Sequence, residues 1–147
     1  MRKRLSWALF ALYLAVLLRL TVFRDGCFSH GLFSGEFSLT PFAAYRDLLS
    51  WGSYGRAAYL FFGNIGWFVP LGAFLAGRGR GTLRCTLSGL ALSVCVEAGQ
   101  YLLGSGLTEA DDLLLNTFGA FLGWAAMRIW FRIRARRKNK MTVQQHD

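Results

Sequence analysis

The chain has 147 residues, 54% hydrophobic and 16% aromatic, a composition too apolar for a soluble domain of this length and suited to a single membrane-embedded domain, 1–147. Its formal net charge is +9, but Lys and Arg crowd the two ends and one short loop, which argues against a nucleic-acid surface and fits cationic flanks on membrane helices. Three cysteines make no disulfide framework, and no metal-ligand spacing is present, so no metal or other cofactor is expected.

Taken in chain order, the first apolar run covers residues 5–23 and follows Arg2, Lys3 and Arg4. It approaches the ~20 residues that cross a hydrocarbon core, and it carries one internal cation, Arg19. A cleaved leader with MRKR as its n-region is the weaker alternative, because the run exceeds a usual h-region and no small-residue cleavage pair follows. Residues 24–56 are rich in Phe, Gly and Ser and hold Pro41-Phe42 and the isolated Cys27. They predict an aromatic loop lying on the outer leaflet, with a short amphipathic helix near Ala43–Trp51. The second run, 57–76, contains Asn64 and Pro70. Pro70 removes the amide bond to the Gly66 carbonyl and predicts a kink. Arg78, Arg80 and Arg84 follow. The third run, 85–104, holds Glu97 and Gln100, with Cys85 and Cys95 as small buried hydrophobes. An acidic stretch (Glu109, Asp111, Asp112) leads into the fourth run, 113–131, which opens on Asn116. A basic tail, 132–147, closes the chain.

Only helices and closed barrels span membranes, and these runs lack the alternation of barrel strands. The expected fold is all-α, a four-transmembrane-helix bundle with spans of about 5–23, 57–76, 85–104 and 113–131. The three basic regions then share one side, the cytoplasm. The aromatic loop between the first two helices and the acidic stretch face outward.

Glu97 is the costly residue, since a charge at membrane depth costs at least ~2.5–3.5 kcal/mol on insertion scales. At 1.5 Å per residue, Asn64 and Glu97 lie roughly 10 Å below the outer surface, and Gln100, Arg19 and Asn116 roughly 5–6 Å below it. Agreement across four spans predicts one polar cluster open to the exterior, joined by Asp111 and Asp112. Ser93 and Gly89 continue the face of Glu97 and Gln100 inward. Each residue also has a structural reading. Asn64 and Asn116 could be interhelical glue worth ~0.6 kcal/mol each. Glu97 could be an ion-pair partner of Arg19. Asp111 and Asp112 suit the N-cap and first turn of a helix. Gly119 and Gly123 form a small-xxx-small packing surface.

The stretch GNIGWFVPLGAFL resembles the N-x-x-x-F-x-P-x-G signature of VanZ-like membrane proteins, with Asn64, Phe68, Pro70 and Gly72 in its fixed positions. EAGQ (97–100) followed by DDLLLNTFGAFLG (111–123) resembles that family's E-x-x-Q and D-x-x-x-N-T-x-G-x-x-x-G pair. TVFRD and SLTPFAAYRD resemble its segment between the first two spans. Gly106 stands where the family pattern usually has Arg, which leaves Arg19, with Arg24 and Arg56 as rivals, to serve as counter-ion. The resemblance implies a multi-pass protein of the bacterial cytoplasmic membrane. The family takes its name from a member linked to resistance to teicoplanin, a lipoglycopeptide that binds cell-wall precursors outside the membrane.

The leading expectation is a non-enzymatic protein whose outward polar pocket binds a lipid, a lipid-linked envelope precursor or a lipoglycopeptide, contributing to glycopeptide resistance. The alternative is a membrane-embedded enzyme acting on a lipid or envelope precursor through Glu97, Asp111 and Asp112. A proton-coupled transporter titrating Glu97 ranks third. Expected partners are membrane lipids and such a ligand, with a homo-oligomer through Gly119 and Gly123 as a further option and no nucleic acid.

Overall fold

The computed structural model describes residues 2–23, 31, 33, 36–38, 40–105 and 107–143. Its body is helical: α1 (Arg2–Thr21), α2 (Ala43–Ser50), α3 (Tyr54–Gly77), α4 (Thr82–Leu103) and α5 (Ala110–Val143). Three of these are long and apolar enough to cross a membrane, namely Lys3–Thr21 of α1, then α3 and α4. Large apolar side chains point outward on each long helix, among them Leu12, Phe62, Leu83 and Leu114, all more than 60% exposed. Exposed apolar surface on every side suits a hydrocarbon solvent.

The tightest seam joins α3 and α5, which run parallel. Gly72 of α3 faces the Ala120 carbonyl, while Gly119 and Gly123 of α5 face the carbonyls of Ile65 and Val69. A Cβ on any of the three would overlap backbone. Small residues thus let two helices touch main chain to main chain, where lipid supplies no hydrophobic drive between helices. α4 runs antiparallel to α5 on its other side, and fully buried Ala120 fills the space over Gly89 of α4 as well. The glycine surface expected to offer a dimer contact is therefore occupied within the chain.

α1 closes the bundle against α3 and α4. At one end Arg78 stacks on Phe74 and Trp7, with its guanidinium carbon 3.4 Å and 4.4 Å from the ring centroids, and donates to the Ser6 hydroxyl at 3.1 Å. Midway, the Tyr13 hydroxyl donates to the Trp67 carbonyl at 2.6 Å. At the other end the Gln100 amide donates to the Thr21 carbonyl at 3.3 Å, and Val22 packs over Gly99. Leu17, Phe68, Leu71, Val96 and Ala120 make the core.

Four features refine or extend the sequence-based expectation. First, the segment after α1 contains a short strand. β1 (Glu36–Ser38) pairs in parallel with β2 (Leu107–Glu109), which straps the loop across the end of α4 and α5. Three-residue strands are too short to leave a period-2 signature. Within this segment the expected short helix forms as α2, with Tyr45 buried and Leu49 exposed. Second, α3 passes through Pro70 as one helix, with Pro70 on its exposed side. Third, Cys85 is buried but Cys95 is exposed on the outer face of α4. Fourth, the basic tail continues α5 as helix to Val143, with residues 132–138 exposed.

Candidate functional site

α4 presents one continuous buried stripe, Gly89, Ser93, Glu97 and Gln100, at the spacing of one helical face. α4 then stops at Gly104, whose φ of 56° is the left-handed conformation that glycine adopts at helix ends. The sharp stop turns the chain back through β2, so α5 returns against the same stripe. Asp111 and Asp112 fall in the first turn of α5, where the helix dipole favours acids. One turn on, Asn116 donates to the Ser93 hydroxyl at 2.9 Å. The backbone amide of Glu109 donates to Glu97 Oε2 at 3.3 Å. On the other side of α5, the Asn64 amide of α3 donates to Asp112 Oδ1.

Three helices therefore bring Asn64, Glu97, Gln100, Asp112 and Asn116 together, at the end of the bundle away from the basic loop and tail. Glu97, Gln100 and Asn116 are each at least nine-tenths buried. Asp111 is as deeply buried but does different work. Its Oδ2 accepts the Phe42 amide at 2.7 Å, tying the loop ahead of α2 to α5. Arg19 lies on an exposed face near the end of α1 and donates to the Phe23 carbonyl. Arg56 is exposed in the first turn of α3. Arg24 and Gly106 lie outside the described residues.

Sequence reasoning missed Tyr45. Its buried hydroxyl hydrogen-bonds with Asn64 and lies near Asp112, so α2 caps the cluster. The signal was within SLTPFAAYRD, where Tyr45 is the inward-facing residue of an amphipathic turn.

Part of the hydrogen-bonding capacity around the cluster is unused. Gln100 Oε1, Asp111 Oδ1 and Asn116 Oδ1 are buried acceptors with no hydrogen bond among the described residues. Each such atom costs ~1–3 kcal/mol if left so. Those of Gln100 and Asn116 belong with the Glu97 and Asp112 carboxyl groups, whereas that of Asp111 sits on the acid that fastens the Phe42 loop. Among the described residues, no three His, Cys, Asp or Glu side chains are placed to hold a metal ion.

Outside the membrane-spanning stretches the electrostatics follow from burial. Asp112, ahead of the apolar stretch 113–131, is pushed up to about 7 by burial, with Glu109 and Asp111 adding to it. Burial, then Asp111, raises Glu109 as well. Tyr45 is pushed up to about 12 by burial and Asp112, so its hydroxyl keeps its proton. An acid whose folded value lies above its unfolded value stabilises the fold at low pH and loses that contribution as pH rises. Thermal stability in detergent is expected to fall between about pH 4 and pH 7, and Asp112→Asn to flatten that decline. A slope unchanged by Asp112→Asn would show that other groups set it.

An apolar groove of about 400 Å³ lies beside the cluster, between α2 and the first turns of α3. A second, of about 390 Å³, lies between α4 and α5.

A family model described as VanZ/LLP1 matches residues 10–131, a stretch that holds every residue of the cluster. No curated protein and no solved structure matches the chain.

Proposed function

The chain belongs to the VanZ/LLP1 family, and on that footing we propose a multi-pass protein of the bacterial cytoplasmic membrane whose polar cluster faces outward and binds a ligand. The ligand is the donor-rich polar part of a lipid, a lipid-linked envelope precursor or a lipoglycopeptide, and its capture contributes to glycopeptide (teicoplanin) resistance. One observation carries this reading: three helices place Asn64, Glu97, Gln100, Asp112 and Asn116 at one end of an otherwise apolar bundle, with buried Gln100 and Asn116 acceptors that no described donor satisfies.

The membrane placement has its own support. α5 touches the backbone of α3 along Gly119, Ala120 and Gly123, which supports reading its apolar stretch 113–131 as a fourth crossing beside α3. The start of α1, the end of α3, the start of α4 and the far end of α5 then lie on one side. Lys3, Arg4, Arg78, Arg80, Arg84 and the cations of 132–138 gather there, which orients that side to the cytoplasm. The cluster, β1–β2 and α2 lie on the outer side.

The test is growth of a sensitive bacterium carrying vector, wild type or Glu97→Ala across lipoglycopeptides and glycopeptides. Wild type is expected to raise tolerance, most for lipid-tailed drugs, and Glu97→Ala to return it to the vector level. Equal growth of all three strains overturns the resistance reading.

A further inference from the structure

The groove between α2 and α3 is built differently from the other apolar recess. Phe42, Leu49, Ala58 and Phe62 line it, Tyr45 and Ala57 are buried beside it, and Arg46 is the single cation in its wall. Arg46 is exposed and makes no ion pair among the described residues. The groove between α4 and α5 is of nearly equal size, and its wall has no cation at all, only Leu, Phe and Thr side chains.

Both recesses open on surfaces already assigned to hydrocarbon, so an acyl chain fits either. They differ at the rim. α2 lies at the outer end of the bundle, where its groove meets the headgroup layer, and there a guanidinium matches a phosphate with a fork of parallel donors. Tyr54, exposed at the same rim, presents an amphipathic ring of the kind that settles at headgroup level. Tyr45 joins this groove to the polar cluster through Asn64.

We propose that the α2–α3 groove is a binding site for an anionic phospholipid of the outer leaflet, its acyl chain along Ala58 and Phe62 and its phosphate on Arg46. This rests on the membrane placement proposed above and not on the ligand of the cluster. A bound lipid would buttress α2, and with it the Tyr45 cap over Asn64 and Asp112.

The experiment uses the full chain in phosphatidylcholine nanodiscs containing a trace of lipid with a photoactivatable acyl chain, either phosphatidylglycerol or phosphatidylcholine, with adducts mapped by mass spectrometry. In the α2–α3 groove, phosphatidylglycerol is expected to label about fivefold more than phosphatidylcholine, the preference one cation near an anionic headgroup supplies. In the α4–α5 groove the two probes are expected to label equally. Arg46→Gln brings the first ratio to about one, because it removes the cation while leaving the apolar wall. Ala58→Trp, on the exposed side of α3, fills the groove and abolishes its labelling by both probes without touching the α4–α5 groove. Equal labelling of the α2–α3 groove by both probes in wild type overturns the proposal, as does a preference that survives Arg46→Gln. Absence of label there, as when a second copy of the chain covers the groove, overturns it too. Because the readout is label and not growth, a failed resistance phenotype leaves this result standing, and the reverse also holds.

Discussion

Gly72→Val is expected to prevent assembly of the bundle. A Cβ at this position overlaps the carbonyl oxygen, carbonyl carbon and Cα of Ala120. All three are backbone atoms of a helix that is itself wedged against α4 at Gly89, so α5 has nowhere to yield. Overpacking a core usually costs ~1–3 kcal/mol because side chains move aside. Here only whole helices can move, and the expected loss exceeds ~3 kcal/mol. The damage also reaches the site. Forcing α3 from α5 draws Asn64 from Asp112, since both lie at the end of the same seam. Gly119→Val and Gly123→Val act through Ile65 and Val69 in the same way. The matched controls are Gly63→Ala and Gly66→Ala in α3, where an added Cβ meets nothing within 4 Å. These are expected to be neutral or to stabilise by up to ~1 kcal/mol, as Gly to Ala does within a helix. Size-exclusion profile and thermal unfolding in detergent read both sets. A monodisperse Gly72→Val with wild-type stability would show that α3 and α5 do not touch.

Glu97→Gln is expected to fold normally and keep part of the function, whereas Glu97→Leu loses all of it. Glutamine preserves the length of the side chain and an oxygen for the Glu109 amide. It replaces the second carboxyl oxygen with an NH2 donor, weakening a ligand that brings donors without closing the site. Leucine removes the acceptor, leaving the Glu109 amide without that bond, at a cost of ~1–3 kcal/mol. The pair also separates binding from catalysis. A general acid or base contributes typically ~10²–10⁴-fold, and an amide can supply neither role. An enzyme using Glu97 in that way would therefore lose nearly everything in Glu97→Gln. Tolerance to lipoglycopeptide, measured as the minimal inhibitory concentration, is expected to fall in the order wild type, Glu97→Gln, Glu97→Leu. Loss as complete in the glutamine variant as in the leucine variant would favour the catalytic reading.

The helices were legible because each long one begins as or contains a long apolar run, and their polar residues because such residues are rare in those runs. The stripe Gly89, Ser93, Glu97 and Gln100 follows from helical spacing alone, whereas the bond from Asn116 to Ser93 is a tertiary contact that spacing does not give. Gly72, Gly119 and Gly123 were readable as packing residues, but not which helix they pack against. That depends on α3 and α5 lying side by side, and nothing local encodes it. The strap of β1 on β2 was hidden for the same reason: three residues pair with three others about seventy positions away. Asp111 illustrates the limit. A first-turn acid and a ligand-binding acid look alike in sequence, and only the Phe42 amide distinguishes its fastening role. Tyr45 stayed hidden because its partner Asn64 lies on another helix.

Capture of a polar ligand at the outer end of the bundle is the central claim, and native mass spectrometry on protein extracted with its surrounding membrane tests it most directly. Wild type is expected to carry a lipid or lipid-linked species that is depleted in Glu97→Gln and absent in Glu97→Leu, while Arg80→Gln, at the opposite end, retains it. Identical bound species across all four proteins would contradict the claim.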